Sequence, residues 1–139
     1  MTTAYALLLD RCGLSHREAA LFVHQVRPDT VKAWAAGRNR VPAGAIAELR
    51  ALYARIEAAA VQALDQIEAM AADGAPDRIE LGLACDDAEA QALGWPCVGA
   101  QAAMLGLVVA CMAGDAMIVP RGATVPGAAA ADAHERGLG

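Results

Sequence analysis

The chain has 139 residues, 57% hydrophobic and 19% charged, with a formal net charge of −5. That length fits one domain, or a small domain with an appendage, and suffices to bury a real core. The apolar, Ala-rich composition excludes disorder of the whole chain and favours helices. Four dispersed cysteines (Cys12, Cys85, Cys97, Cys111) form no Cys-x-x-Cys pair. They read as small buried hydrophobes of a reducing, cytoplasmic environment, without disulfides. The start, Met1-Thr2-Thr3-Ala4-Tyr5, lacks the basic stretch of a secretory leader.

Net charge hides an uneven distribution. Residues 1–55 hold eight bases (Arg11, Arg17, Arg27, Lys32, Arg38, Arg40, Arg50, Arg55) against four acids, whereas residues 56–139 hold three bases against twelve acids. Such a split suggests that one end meets an anion, or else that two faces are differently solvated.

In chain order, 4–12 reads as a short helix ended by Gly13. Ser15 and Glu18 have the capping-box spacing, with Leu14 before the cap, and open a second helix through Ala19–Val23 that stops at His24-Gln25. A third helix begins after Val26 with Pro28 in its first turn, carries Val31 and Trp34 on one face and closes at Gly37. Beyond Arg38-Asn39-Arg40, Val41-Pro42 starts a fourth helix. Its apolar residues Ile46, Leu49, Tyr53, Ile56, Ala60, Leu64 and Ile67 recur every three or four positions, and it runs to about Ala72. A helix this long connects lobes or packs against its copy in a dimer. Residues 78–84 read as a strand, Asp86-Asp87-Ala88-Glu89 as a helix start, and 116–119 as a second strand ended by Pro120. The Gly/Ala/Pro-rich tail from Arg121 reads as disordered. Between the strands, Cys97–Ala113 is almost wholly apolar but only 17 residues long and without basic flanks. It reads as a buried helix, at a subunit interface where Gly99 and Gly106 permit close approach, rather than as a membrane span of about 20 residues.

Residues 14–37 resemble the helix-turn-helix of Xre/Cro (phage-repressor-like) regulators. The residues that carry the likeness are Leu14-Ser15, Ala20 where two helices cross, Val23, Val26, Thr30-Val31, Trp34 and Gly37. One departure is the turn, where His24-Gln25 replaces the usual Gly and adds a residue; His adopts the left-handed conformation more readily than bulky residues do. With Arg27-Pro28-Asp29-Thr30-Val31, Gly37-Arg38 and Val41-Pro42, the chain is closest to the small YdiL-type regulators, which include autorepressors of anti-CRISPR operons. The resemblance implies a λ-repressor-like helix-turn-helix domain in 1–72 with its long helix. A small C-terminal α/β dimerisation lobe in 73–120 and a tail, 121–139, complete a mostly α (α+β) chain. It also implies a homodimer that binds an inverted repeat of operator DNA and represses its own promoter, with no cofactor.

Groove chemistry then assigns roles. The third helix enters the major groove by its N-terminal end. Arg27 reaches a guanine edge or a phosphate, Asp29 accepts from a cytosine amine, Thr30 and Lys32 hold the backbone, and Ala33 leaves room for a thymine methyl. Arg38, Asn39 and Arg40 meet phosphates or the adjacent minor groove. Ser15, His16 and Arg17 begin the supporting helix, whose N-terminus suits a phosphate. Trp34 is a core residue, and Arg50 and Arg55 lie on the solvated face of the long helix.

Catalysis finds no footing: there is no nucleophile elbow, phosphate loop or dinucleotide fingerprint. Cys12, His16 and His24 match no zinc spacing, because the two histidines fall at opposite ends of one helix. Asp86, Asp87 and Glu89 are explained by a helix start. The competing readings are an antitoxin-like module whose C-terminal lobe binds a partner protein, and an RNA-binding regulator, which the shortage of aromatics disfavours.

Overall fold

A computed structural model describes residues 2–74 and 78–121. The tail is expected to start at Arg121, but that residue is described and buried, and residues 122–139 lie outside the described residues, as do 75–77 with the Ala75-Pro76 helix break. The rest is mostly helical, with one two-stranded parallel sheet.

Helix α1 (Ala4–Arg11) is capped by the Thr3 hydroxyl, which accepts from Ala6 N–H. The chain turns at Gly13 with φ of 72°, a left-handed value that favours glycine. Helix α2 (His16–Glu18) opens on the expected capping box and passes into a π-helical stretch, Ala19–His24. Helices α3 (Pro28–Ala36) and α4 (Ala43–Ala72) follow, joined by Gly37 and the loop carrying Arg38 and Arg40. Strand β1 (Arg78–Leu83), helix α5 (Asp87–Ala92), helix α6 (Val98–Cys111) and strand β2 (Asp115–Pro120) complete the order. The strands pair in parallel from Arg78↔Asp115 to Leu83↔Pro120, as strands joined through a helical crossover do. Among the described residues no helix is long and apolar enough to cross a membrane.

The acidic run is spent on caps. Asp86 accepts from Glu89 N–H at 2.8 Å, the Glu89 carboxylate accepts from Cys85 N–H at 3.2 Å, and Asp87 accepts from Val98 N–H at 3.0 Å, capping α6 as well.

Buried side chains form one continuous cluster. It takes in Tyr5, Leu9, Cys12, Val31, Trp34, Leu49 and Ile56, and equally Cys97, Ala100, Met104, Leu105 and Val108 of α6. Segments 1–72 and 73–120, expected as separate units, therefore share one core. The reason is α6, the most apolar of the described helices, which lies along α4. Its two glycines differ. A methyl built on Gly99 would strike the Gly13 carbonyl, and one built on Gly13 would strike the Gly99 carbonyl, whereas Gly106 faces open space. Gly99 thus serves a contact within the chain. Gln101, the polar residue of the apolar run, is 1% exposed. Its side chain accepts from Ala84 N–H at 2.9 Å and donates to the Gly82 carbonyl at 3.2 Å. It satisfies backbone groups at the end of β1 that would otherwise be buried without partners.

Two predictions follow from this packing. Gly99→Ala lowers unfolding free energy by about 1–3 kcal/mol, the usual cost of overpacking, while Gly106→Ala leaves it unchanged or raises it by up to about 1 kcal/mol; urea titrations of the two variants check the contrast. Gln101→Leu costs about 2–4 kcal/mol, because two buried backbone groups lose their partners, and the same titration reads it.

Candidate nucleic-acid interface

The sequence places most candidate residues on α3 and on the loop after it, and the structure shows what orients them. Val31, Trp34 and Ala35 are buried, which turns Asp29, Lys32 and Ala36 outward at helical spacing. Arg27 is the N-cap residue with extended backbone, and its carbonyl accepts from Thr30 N–H at 3.0 Å. Its side chain makes no cap hydrogen bond. Pro28 sits in the first turn, where a missing N–H costs nothing. At the other end the left-handed Gly37 closes the helix, and the N–H groups of Arg38 and Asn39 both reach the Ala33 carbonyl. That turn leads Arg38, Asn39 and Arg40 off the end of α3 with all three exposed.

Thr30 is half-buried, and Ser15, His16 and Arg17 are exposed. Two expectations need correcting. Ala33 is only 9% exposed, so its methyl is covered by protein and is not presented to a thymine. The start of α2 is also less open to phosphate than its sequence suggests. Ser15 Oγ accepts from Glu18 N–H at 3.1 Å and Glu18 Oε1 accepts from Ser15 N–H at 2.8 Å. A carboxylate therefore occupies this helix start and opposes a second anion. The first turn of α6 lies beside it, since a Gly99 methyl would stand 3.6 Å from Glu18 Oε1.

The turn between α2 and α3 also differs from expectation. The extra residue is absorbed by widening the backbone into a π-helix, and Val26 N–H reaches the Ala20 carbonyl at 3.0 Å. The left-handed residue is Gln25, with φ of 57° and ψ of 49°, rather than His24. His24 instead turns its ring inward, with its side chain 1% exposed. Its Nε2 lies 3.0 Å from the Tyr5 hydroxyl and its Nδ1 lies 3.1 Å from Glu48 Oε1. Because a carboxylate only accepts, Nδ1 carries the proton shared with Glu48. The rings of Tyr5 and His24 both meet Trp34 edge-on, at centroid distances of 5.8 and 5.6 Å. Residues of α1, the π-helix, α3 and α4 thus converge on one clasp. A further tie joins Thr3, whose hydroxyl donates to the Ala35 carbonyl at 2.8 Å.

Sequence reading missed this clasp because its partners lie 19 and 24 residues from His24, beyond any local spacing rule. Arg55 is exposed on α4, as expected, but it also makes a contact that the sequence does not announce. That side chain donates to the Gly94 carbonyl and stacks over Trp95 with the guanidinium carbon 5.2 Å from the ring centroid, tying α4 to the α5–α6 connection. Beside it an open groove of about 530 Å³ runs between Phe22, Glu48, Arg55 and Trp95.

Among the described residues His24 pairs with Glu48 and Arg78 with Asp115. Arg17, Arg27, Lys32, Arg38 and Arg40 are all exposed and belong to neither. Cys12, His16 and His24 do not converge, and among the described residues no three His, Cys, Asp or Glu side chains gather to hold a metal. No protein-family model and no curated protein matches the chain.

Burial raises two acids of the clasp region. The Tyr5 hydroxyl is pushed from its ordinary 10 up to about 12, chiefly by burial, with the charges of Glu48 and Cys12 adding to it. The Cys12 thiol, which donates to the Leu49 carbonyl at 3.5 Å, is pushed by burial from 9 up to about 11. The fold favours the neutral form of both, so their contribution is whole below the unfolded-state values. It is lost as pH rises, between 9 and 11 for Cys12 and between 10 and 12 for Tyr5. Urea titrations across pH 8–12 should show stability falling by roughly 3 kcal/mol per group at most. Cys12→Ala should flatten the part of the curve that begins near pH 9.

Proposed function

We propose that this protein is a sequence-specific DNA-binding regulator of the Xre/Cro-like kind, a homodimer that binds an inverted repeat and represses its own promoter. In this reading α2 with its π-helical continuation is the supporting helix and α3 is the recognition helix of a helix-turn-helix. The observation that carries it is a row of exposed cations, in no ion pair among the described residues, beginning at Arg27, running through Lys32 and ending at Arg38 and Arg40. Arg27 and Lys32 belong to a short helix fixed from behind by the Trp34–His24–Tyr5 clasp, and Arg38 and Arg40 to the loop that follows it. A solvated surface has no need of such rigid backing, whereas groove readout requires base-contacting side chains held on a fixed element.

The roles divide by chemistry. Arg27 and Asp29, at the leading end of α3, are the base readers: a guanidinium matches guanine O6 and N7, and a carboxylate matches a cytosine amine. Lys32 and Thr30 contact the backbone. Arg38, Asn39 and Arg40 grip phosphates or the adjacent minor groove, and Arg17 adds a phosphate contact from the supporting helix. The acidic C-terminal half is kept off the DNA and supplies the contacts between copies.

The test is a titration of the protein against a labelled duplex of the DNA upstream of its gene, with a scrambled duplex alongside, at two salt concentrations. Binding to the native duplex that weakens steeply with salt is expected. Arg38→Ala and Arg40→Ala should each weaken binding to every duplex and lower the salt slope by about two, one for each protomer of the dimer. Arg27→Ala should cost about 1–3 kcal/mol per half-site and relax preference at one base pair in each. Equal, weak binding to both duplexes would overturn the proposal.

A further inference from the structure

We propose that the outer edge of β2 is the surface on which two copies of this chain join, β2 pairing antiparallel with β2 of the second copy across a twofold axis. This deepens the homodimer part of the reading above, yet rests on the sheet edge and not on DNA binding.

The large apolar side chains left exposed are unevenly placed. Leu7 and Leu21 lie on α1 and the π-helix, but Val61, Met70, Val109, Met117 and Ile118 belong to the second half of α4, the end of α6, and β2. Few residues connect α4 to β1 or α6 to β2, so the ends of both helices and the start of the sheet share one end of the molecule. Along α4 the last fully buried residue is Ala60, although the helix continues to Ala72.

Among the described residues β2 rests chiefly on one neighbour, β1. It pairs with β1 along its whole length, while no helix packs substantially against it. Its consecutive Met117 and Ile118 point to opposite faces of the sheet and are 40% and 47% exposed. Among the described residues its other edge has no neighbouring strand. Proteins blunt such edges with charge, proline or a bulge; here the middle of the strand, Ala116 to Val119, has none of the first two. A two-stranded sheet is itself marginal, and pairing two copies makes it four-stranded.

The occupant follows from what the chain can offer. The 18 residues beyond Arg121 contain Val125 and Leu138 as their only large apolar side chains, amid Ala, Gly and Pro, so this segment makes a poor strand partner. Nucleic acid is repelled by the acidic half. A second β2 fits, because a twofold normal to the sheet pairs Met117 or Ile118 with its own copy and leaves Asp115, the strand's one charge, away from the centre.

The test measures the mass of the full chain, without DNA, by light scattering and sedimentation at about 20 μM. Twice the chain mass is expected for the native protein. The double variant M117E/I118E should run as a single chain, as should M117K/I118K, because antiparallel pairing brings the like charges within about 8 Å on each face. A one-to-one mixture of the two variants should regain the two-chain mass, which also shows that both fold. A native protein of single-chain mass, an M117E/I118E variant that stays dimeric, or a mixture that stays monomeric would each overturn the proposal. Dimer mass without operator binding would sink the regulator reading and leave this one standing; operator binding by a monomer would overturn this one and keep only the DNA-binding part of that reading.

Discussion

The exposed face of α3 depends on a clasp behind it. Trp34 is the only large ring that α3 sends inward, and it meets Tyr5 of α1 and His24 of the π-helix edge-on. His24 in turn is held between the Tyr5 hydroxyl and Glu48 of α4. Four segments far apart in sequence are fixed against each other by three rings and two side-chain hydrogen bonds. Such a network orients a helix more sharply than aliphatic packing, because ring edges and hydrogen bonds have preferred directions. The π-helix belongs to the same device: widening the backbone before the turn is what brings His24 inward and leaves Gln25 to take the left-handed corner.

A second constraint is the close approach of Gly13 and Gly99, where two backbones meet with no room for a side chain. It seats the first turn of α6 on the corner between α1 and α2, so the C-terminal half buttresses the basic half within one core. Gln101 then carries the connection outward, bonding through its amide to the end of β1. The polar group pays its way only because both of its hydrogen-bonding ends are satisfied.

Helix α4 runs between two chemically different ends. Its start adjoins the Arg38-Asn39-Arg40 loop, and its 30 residues carry the chain about 45 Å to an end where apolar side chains are exposed and the charge is acidic. A molecule divided in this way keeps an anion-facing surface apart from an apolar one, and that separation underlies both proposals.

Local chemistry was legible in the sequence. The Ser15–Glu18 box, Pro28 in the first turn of α3, the Gly13 and Gly37 turns, the capping acids before α5 and the two strands all follow from interactions within a few residues, and the structure has each of them. The candidate cations were legible too, since a charged loop with no apolar neighbours stays outside. What only the tertiary structure decided are contacts between residues distant in the chain: His24 against Tyr5 and Glu48, Gly13 against Gly99, Arg55 on Trp95, and the burial of Ala33. The spacing of apolar residues says that a face is covered but not by what. The stripe along α4 therefore reads the same from Ile46 to Ile67, although its own chain buries it fully only as far as Ala60. Whether a small residue such as Ala33, Gly99 or Gly106 faces a neighbour or open space depends on where other helices come to rest, and no local rule encodes that.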